Sequence, residues 1–552
     1  MLRGSQALRR GVTGYVTDIE GSTRFFNNFL SVSTVLRKEG DRLVFRNDDD
    51  RFVFGGDCFD RGTGDLSIGR MLVDLKRRHP DRVWLLMGNR DINKMKLTAE
   101  LHPTELNRLP EEVPRPYYIP GESKFFSFAE YVKKHRIPKE QWRSAVHRLK
   151  WMLSHTMGCI PTFELRRQEL AAMREVNRDL CTISDEDVVA SYLDSLKPGG
   201  VVAEYLRHAQ PVVVVRDTIF VHGAVNKHCV GFVPDLRAVR EQPYFSDDDL
   251  PHFKQYSEEE RIRIGSRPVP GRDIIRHDMA RLVDWVDAIV KFAHDGVEEW
   301  LEQPTFDSSE LPELGAGNAC WGRRRGGSGL IAYPHRSVMG KKTCVISTFI
   351  SNGNLGHVDL GTVACLNEGG VSRVVVGHQP AGYTPSFICQ PGLSVICADS
   401  SYCAAGTSTY ANGRGMAVSE VVVDHDAGEV KVNGRDMEGS PYSFVIDPED
   451  DVIGRKTADG WWSKAYREDN SEVLMQRTTD AFYSAEYEWV PVGIARHRLN
   501  EGFVVGGCGG SINWGLRRED LVPRPGCSSF GPAGPDPSRT IKVKKSTSPS
   551  AT

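Results

Sequence analysis

The sequence predicts an α/β protein, and three observations predict it. Short β-like runs at residues 15–18, 51–54 and 82–87 each stop on a polar, glycine-bearing cluster. Stretches with apolar residues at helical spacing follow the first two runs. The side chains suited to chemistry sit where the strands end, which is where open α/β sheets carry their functional loops.

Taken in order, the first run leads into Gly21-Ser22, and Ser22 is placed to cap a helix carrying Phe25, Phe26, Phe29 and Leu30 on one side. Residues 51–54 read as a strand that stops at Gly55-Gly56-Asp57. A helix with Leu66, Met71, Leu72 and Leu75 on one face comes next. Residues 82–87 form a further strand ending at Gly88-Asn89. From about 93 to 209 the composition turns to Arg, Lys, Glu and Leu, which reads as a helical insertion. Residues 211–215 and 218–221 read as a hairpin turning at Arg216-Asp217. A second insertion spans about 233–340, with a helix near 274–301. Strands return at 371–376 and 393–397, and a hairpin turns around residues 424–428. These readings place one elaborated domain at 12–405, a β-leaning C-terminal extension at 406–522, and a Pro-, Gly- and Ser-rich disordered tail at 523–552.

A chain of 552 residues exceeds the ~250–300 that one core organises, so insertions or further units are expected. The net charge of −3 gives no electrostatic reason for a nucleic-acid or membrane partner. Twelve cysteines without a C-x-x-C pair read as reduced, mostly buried thiols of an intracellular protein. No apolar run approaches the ~18 residues of a membrane span. The expected location is cytoplasmic. The alternative is mitochondrial, since Arg3, Arg9 and Arg10 with no acid among them weakly resemble a presequence.

Five clusters carry the chemistry: Asp18-Ile-Glu20-Gly21, Gly56-Asp57-x-x-Asp60-Arg61-Gly62, Gly88-Asn89-Arg90-Asp91, His222-Gly223 and Gly377-His378-Gln379. A lone histidine is more often a satisfied core residue, and a lone Asn a turn cap. Five such clusters in order, each after a β-like run, ask for a common reason. Two divalent ions roughly 3.5–4 Å apart can clamp a phosphate and activate water between them. They need one carboxylate able to bridge both, for which Asp57 is the natural choice, and a mixed oxygen and imidazole shell.

This order resembles the calcineurin-like metallophosphoesterases, closest to their phosphoprotein phosphatase branch, whose motifs run D-x-H, G-D-x-x-D-R-G, G-N-H-D/E, H-G and G-H. The resemblance implies a two-sheet β-sandwich flanked by helices. It implies one ion on Asp18, Glu20 and Asp57 and a second on Asp57, Asn89, His222 and His378. It further implies that Arg61 holds a phosphate oxygen by paired charge-assisted hydrogen bonds. Manganese is the expected metal, with Fe, Zn or Mg also suited to the donors.

Two positions depart from the pattern. Glu20 stands where the family has a ligating His, and Arg90 where it has the His that resembles a general acid. Arginine stays protonated, so it has no proton to give near neutral pH, although it stabilises negative charge. Asp60, which orients that His in the family, could pair with Arg90. The catalytic set is therefore Asp60, Arg61 and Arg90, and the expected activity is metal-dependent hydrolysis of a phosphorylated protein, nucleotide or small molecule. The second reading is a binding or scaffolding protein of this fold with weakened catalysis, recruiting partners through the insertions. Residues 17–23 also resemble the first metal motif of class III nucleotide cyclases. Their required second Asp would fall at Gly40-Asp41, too soon in the chain, and the remaining clusters would go unexplained. Tyr383, Asp399 and Arg323 to Arg325 read as structural or solvated.

Overall fold

A computed structural model describes residues 11–116, 125–176, 182–234, 271–273, 281–307, 325–351, 354–380, 382–400, 415–478 and 485–500. The basic N-terminal residues, much of the second insertion and the tail expected at 523–552 lie outside the described residues.

Five strands bear the polar clusters. In the first sheet, β1 (Thr13–Val16), β2 (Arg51–Phe54) and β3 (Val83–Leu86) run parallel side by side. In the second, β4 (Thr218–Val221) and β5 (Arg373–Val376) are parallel neighbours. Among the described residues, seven strands make the first sheet and five the second.

Alternation along the strands builds two apolar layers. Tyr15, Val53 and Leu86 from one sheet meet Phe220, Val375 and Ile396 from the other in one cluster. The Tyr15 and Phe220 rings stack with centroids 5.7 Å apart. The residues pointing the opposite way, Val16, Phe52, Phe54 and Leu85, pack under helices together with Phe25, Phe29 and Leu72. The result is the expected sandwich of two sheets flanked by helices. Strands buried on both faces read as continuous apolar runs, as residues 52–54 and 374–376 do.

Helix α1 (Thr23–Val32) begins where Ser22 Oγ accepts the Phe25 N–H at 3.2 Å. Helix α2 (Asp65–Arg78) returns the chain from β2 to β3, and the short α3 (Asn89–Asn93) follows β3. Helices dominate the described residues from there to His208, including Thr162–Val176 and Val201–His208. Ala209–Gln210 then rejoins the first sheet beside β3. Val212–Val215 pairs antiparallel with β4, the hairpin turning through Arg216 in a left-handed conformation. Of the second insertion, helix Leu282–Glu302 is described.

Beyond residue 405, Val418–Asp424, Glu429–Arg435 and Pro441–Ile446 add three strands to the first sheet, the first of them against β1. The sheet therefore continues across the boundary expected at 405. A separate three-stranded sheet, Trp462–Tyr466, Glu472–Thr478 and Ala485–Pro491, packs Val473, Leu474 and Met475 into the inter-sheet cluster. Cys58, Cys159, Cys229, Cys344 and Cys397 are buried thiols without a disulfide. Among the described residues no helix is long and apolar enough to cross a membrane.

Candidate active site

The C-terminal ends of β1 to β5 converge. Asp18 and Glu20 follow β1, Asp57, Asp60 and Arg61 follow β2, Asn89 and Arg90 follow β3, His222 follows β4, and His378 follows β5. The turns that bring them together are strained. Eight non-glycine residues have positive φ among the described residues, and Asp18, Glu20, Asp57, Asp60 and His378 are five of them. Such conformations cost roughly 1–3 kcal/mol each and gather at functional sites. The first β-like run was expected to extend over residues 15–18. Instead the strand stops at Val16, and Asp18 and Glu20 turn left-handed, at φ 56° and 44°. Hydrogen bonds from Asp18 N to Gly56 O (3.0 Å) and Glu20 N to Asp57 O (2.9 Å) lock the β1 and β2 loops together. Gly56 is required at φ 93°, where a Cβ would also lie 2.7 Å from Gly88 N.

Around Asn89, two ring nitrogens and two side-chain oxygens face one another. His222 Nδ1 lies 2.8 Å from Gly55 O, so its N–H donates there and Nε2 is the nitrogen turned to the pocket, open to a proton or a cation. That Nε2 is 3.4 Å from Asp57 Oδ1 and 3.3 Å from Asn89 Oδ1. His378 Nδ1 is 3.0 Å from Asn89 Oδ1. Ligand atoms of Asp57, His222 and His378 all lie within 4.8 Å of one another. Burial opposes charge on His222, but Asp57 and then Asp18 outweigh it and push the imidazole up to about 10. Burial and then the adjacent His222 push His378 down to about 3. This pocket asks for one positive charge, which a proton on His222 or a bound cation supplies.

Around Glu20 the charge is already met. Arg90 Nε donates to Glu20 Oε1 at 2.9 Å and lies 3.5 Å from Asp57 Oδ2. Its Nη1 is 3.5 Å from Asp60 Oδ2 and 3.3 Å from Cys159 Sγ. Arg61 Nε stands 3.5 Å from Glu20 Oε2 while its Nη2 donates to Gly158 O at 2.8 Å. Lys94, buried one turn beyond Arg90, pairs with Asp60 Oδ1. Asp18, Glu20 and Asp57 also bring carboxylate oxygens within 4.8 Å of one another. Burial and then Asp399 raise the Asp18 carboxyl well above its ordinary range. One Asp18 oxygen accepts Thr17 Oγ1 at 2.5 Å and the His378 N–H at 2.9 Å.

Asp57 stands between the two groups. Burial alone would raise its carboxyl, yet His222 and Arg90 outweigh that and hold it well below the usual range. Its position is set by Asp91, whose buried carboxylate accepts the N–H groups of Asp57 (2.9 Å), Cys58 (2.8 Å) and Gly88 (2.9 Å). Burial, then Asp57, pushes Asp91 up to about 7. Asp18, Glu20, Asp57, Asp60 and His222 lie beneath the surface, whereas Arg61, Asn89, Arg90 and His378 keep partial exposure.

No protein-family model matches the chain, and no curated protein matches it by sequence. Solved structures similar to it include phosphatases. One is the cold-active protein-tyrosine phosphatase of a psychrophilic Shewanella, at 10% identity and TM-score 0.34, covering 79% of this chain and 80% of that one. Another is a protein serine/threonine phosphatase from Saccharomyces cerevisiae, at 11% identity and TM-score 0.28, covering 80% of this chain and 82% of that one.

The donors test differently for the two expected ions. Asp57, Asn89, His222 and His378 fit a divalent cation, because a carboxylate, an amide oxygen and two imidazoles face one another there. The group Asp18, Glu20 and Asp57 does not fit a second ion in this arrangement, since the oxygens of Glu20 and Asp57 already face the Arg90 guanidinium.

Several residues that build the site escaped the sequence reading. Asp91 lay inside a recognised cluster, and Lys94 lay four positions after Arg90 on a helical turn, so both had a local signal. Cys159 had none. It reaches Asp60 Oδ2 at 2.9 Å from the helical insertion, just after a π-helical turn at Met152–Thr156. Of the residues read as structural, Tyr383 packs on Tyr487 with ring centroids 4.5 Å apart, and Arg325 donates to Met95 O at 2.6 Å.

Proposed function

We propose that this protein is a metal-dependent phosphoester hydrolase. The observation that carries the reading is the meeting of Asp57, Asn89, His222 and His378 beneath two partly exposed guanidinium groups. A divalent ion held by those four residues would supply Lewis acidity at a phosphoryl oxygen, and Mn, Fe or Zn suits the donor set. Arg61 and Arg90 line the solvent side, where a phosphate dianion arrives, and offer planar donors to its oxygens. Asp60 and Glu20 orient Arg90, and Asp91 fixes the loop that carries Asp57. As a water oxygen bonds to phosphorus and the P–O bond to the leaving group breaks, Arg90 stabilises the departing oxygen electrostatically and gives up no proton, so the group leaves as an anion and the water's proton passes to solvent. That favours leaving groups stable as anions, such as phosphoanhydrides and aryl phosphates, over alkyl esters of serine or threonine.

The test is hydrolysis of an aryl phosphate and a dinucleotide polyphosphate by pure protein with Mn²⁺. Turnover should exceed that of Asp57→Asn by at least about 100-fold, beyond the loss typical of an outer-shell change. No excess over that control, with metal bound to the wild type, removes the reading. A binding or scaffolding role is the second reading. It is favoured by Arg61 and Arg90 being engaged with Gly158 and Glu20, and turnover at ordinary enzyme rates would end it.

A further inference from the structure

The two departures from the phosphoesterase pattern, Glu20 and Arg90, are 70 residues apart in sequence and touch each other, Nε to Oε1, at 2.9 Å. We infer that the Arg90 guanidinium takes the place of one of the two ions, so that the chain binds a single divalent cation, on the Asn89 side of Asp57. This inference rests on reading the site as metal-dependent.

The geometry carries it. An ion on Asp18, Glu20 and Asp57 would need oxygens from the last two at ~2.0–2.6 Å. Arg90 Nε already stands at 2.9 Å from Glu20 Oε1 and 3.5 Å from Asp57 Oδ2, in the wedge between them. An ion in that wedge would bring like charges together. The guanidinium is also held from behind. Asp60 Oδ2 and Cys159 Sγ flank Nη1, and the backbone below is fixed by the Arg90 main-chain N–H donating to Asp57 Oδ1 at 2.9 Å. If the side chain swung out, Glu20, whose side chain is 1% exposed, would lose this partner. Lys94 on Asp60 adds a further positive charge to the same side. Histidine at both positions would vacate the wedge and supply a neutral ligand. Glutamate and arginine together fill it with an internal ion pair, which explains why the two departures occur in one chain.

The experiment is metal stoichiometry on the full chain. Metal-free protein is titrated with Mn²⁺ by calorimetry, its bound metal is measured after dialysis, and its paramagnetic resonance spectrum is recorded. Wild type should bind one ion per chain with the spectrum of an isolated Mn²⁺. Asn89→Ala and His378→Ala should weaken that binding more than about 100-fold. Arg90→His and Arg90→Ser should admit a second ion, seen as a doubled stoichiometry and an exchange-coupled spectrum. Two ions on the wild type would overturn the inference and leave the metal-dependent reading standing. A single ion indifferent to Asn89→Ala and His378→Ala would also overturn it. No ion on the wild type would sink both. The wild-type count decides the matter even where a variant fails to fold.

Discussion

On the Asn89 side of Asp57, electron-rich atoms converge: His222 Nε2, Asn89 Oδ1 and His378 Nδ1 sit at 3.0–3.3 Å. On the Glu20 side, the carboxylates are matched by Arg90, Arg61 and Lys94 from the chain itself. Both sides are buried at strand ends, and both neutralise charge that burial makes costly. They differ in the source of the neutralising charge. One side leaves it to an external cation or proton, and the other builds it in. The difference teaches that carboxylate number alone does not define a metal site. What matters is whether the carboxylates still lack positive charge once the chain has folded.

The contrast breaks most sharply if the two sides are cut separately. His222→Gln should lower Mn²⁺ affinity by more than about 100-fold, since removing a ligand costs more than removing its support. Glu20→Gln should change affinity little but destabilise the fold by roughly 1–3 kcal/mol, because it removes the nearest of the three carboxylates that face the Arg90 guanidinium. Calorimetric titration and urea unfolding of both variants check this, and exchanged outcomes would reverse the assignment of the two sides. A smaller effect sharpens the same point. In a double-mutant cycle of Glu20→Gln and Arg90→Gln, the second change should recover part of the first loss, with a coupling of about 1–3 kcal/mol by urea unfolding. Additive losses would mean that the pair at 2.9 Å acts as two independent charges.

Much of this site was legible because its loops are short and follow strands. Asp57, Asn89, His222 and His378 each come within three residues of a strand end, so their convergence follows from the parallel order of the strands. The conformation of the loops was less legible. Nothing in Asp18 or Glu20 announces a left-handed backbone, which Asp tolerates through local hydrogen bonding and Glu has no special means to favour. The Glu20–Arg90 pair was hidden for another reason. Each departure read as a separate loss of a histidine, and only the fold places them in contact. The strands after residue 405 read as an extension because a sheet edge accepts any strand with free backbone groups, whatever its distance in sequence.

The least legible layer comes from the helical insertion, and it makes the smallest testable difference. Arg166 Nη2 pairs with Asp65 Oδ2 at 3.0 Å, while Glu169 Oε1 accepts the N–H groups of Leu66 (2.8 Å) and Ser67 (3.1 Å) at the start of α2. Asp65 Oδ1 in turn accepts the Asp60 N–H at 2.9 Å, so this buried trio braces the Glu20 side from below. One arginine faces two acids there. Burial, only partly offset by Arg166, pushes Glu169 up to about 7. A carboxyl with a raised folded pKa favours the fold while protonated. Its contribution is full below the ordinary value near 4.5 and is lost as pH rises through about 7. Between pH 5 and 8 the wild type should therefore lose on the order of 2 kcal/mol from this group. Glu169→Gln keeps an oxygen for both N–H groups and cannot ionise, so urea midpoints at the two pH values should draw together. An unchanged gap in that variant would show that Glu169 is already ionised beside Arg166, and the bracing would then owe nothing to a shared proton.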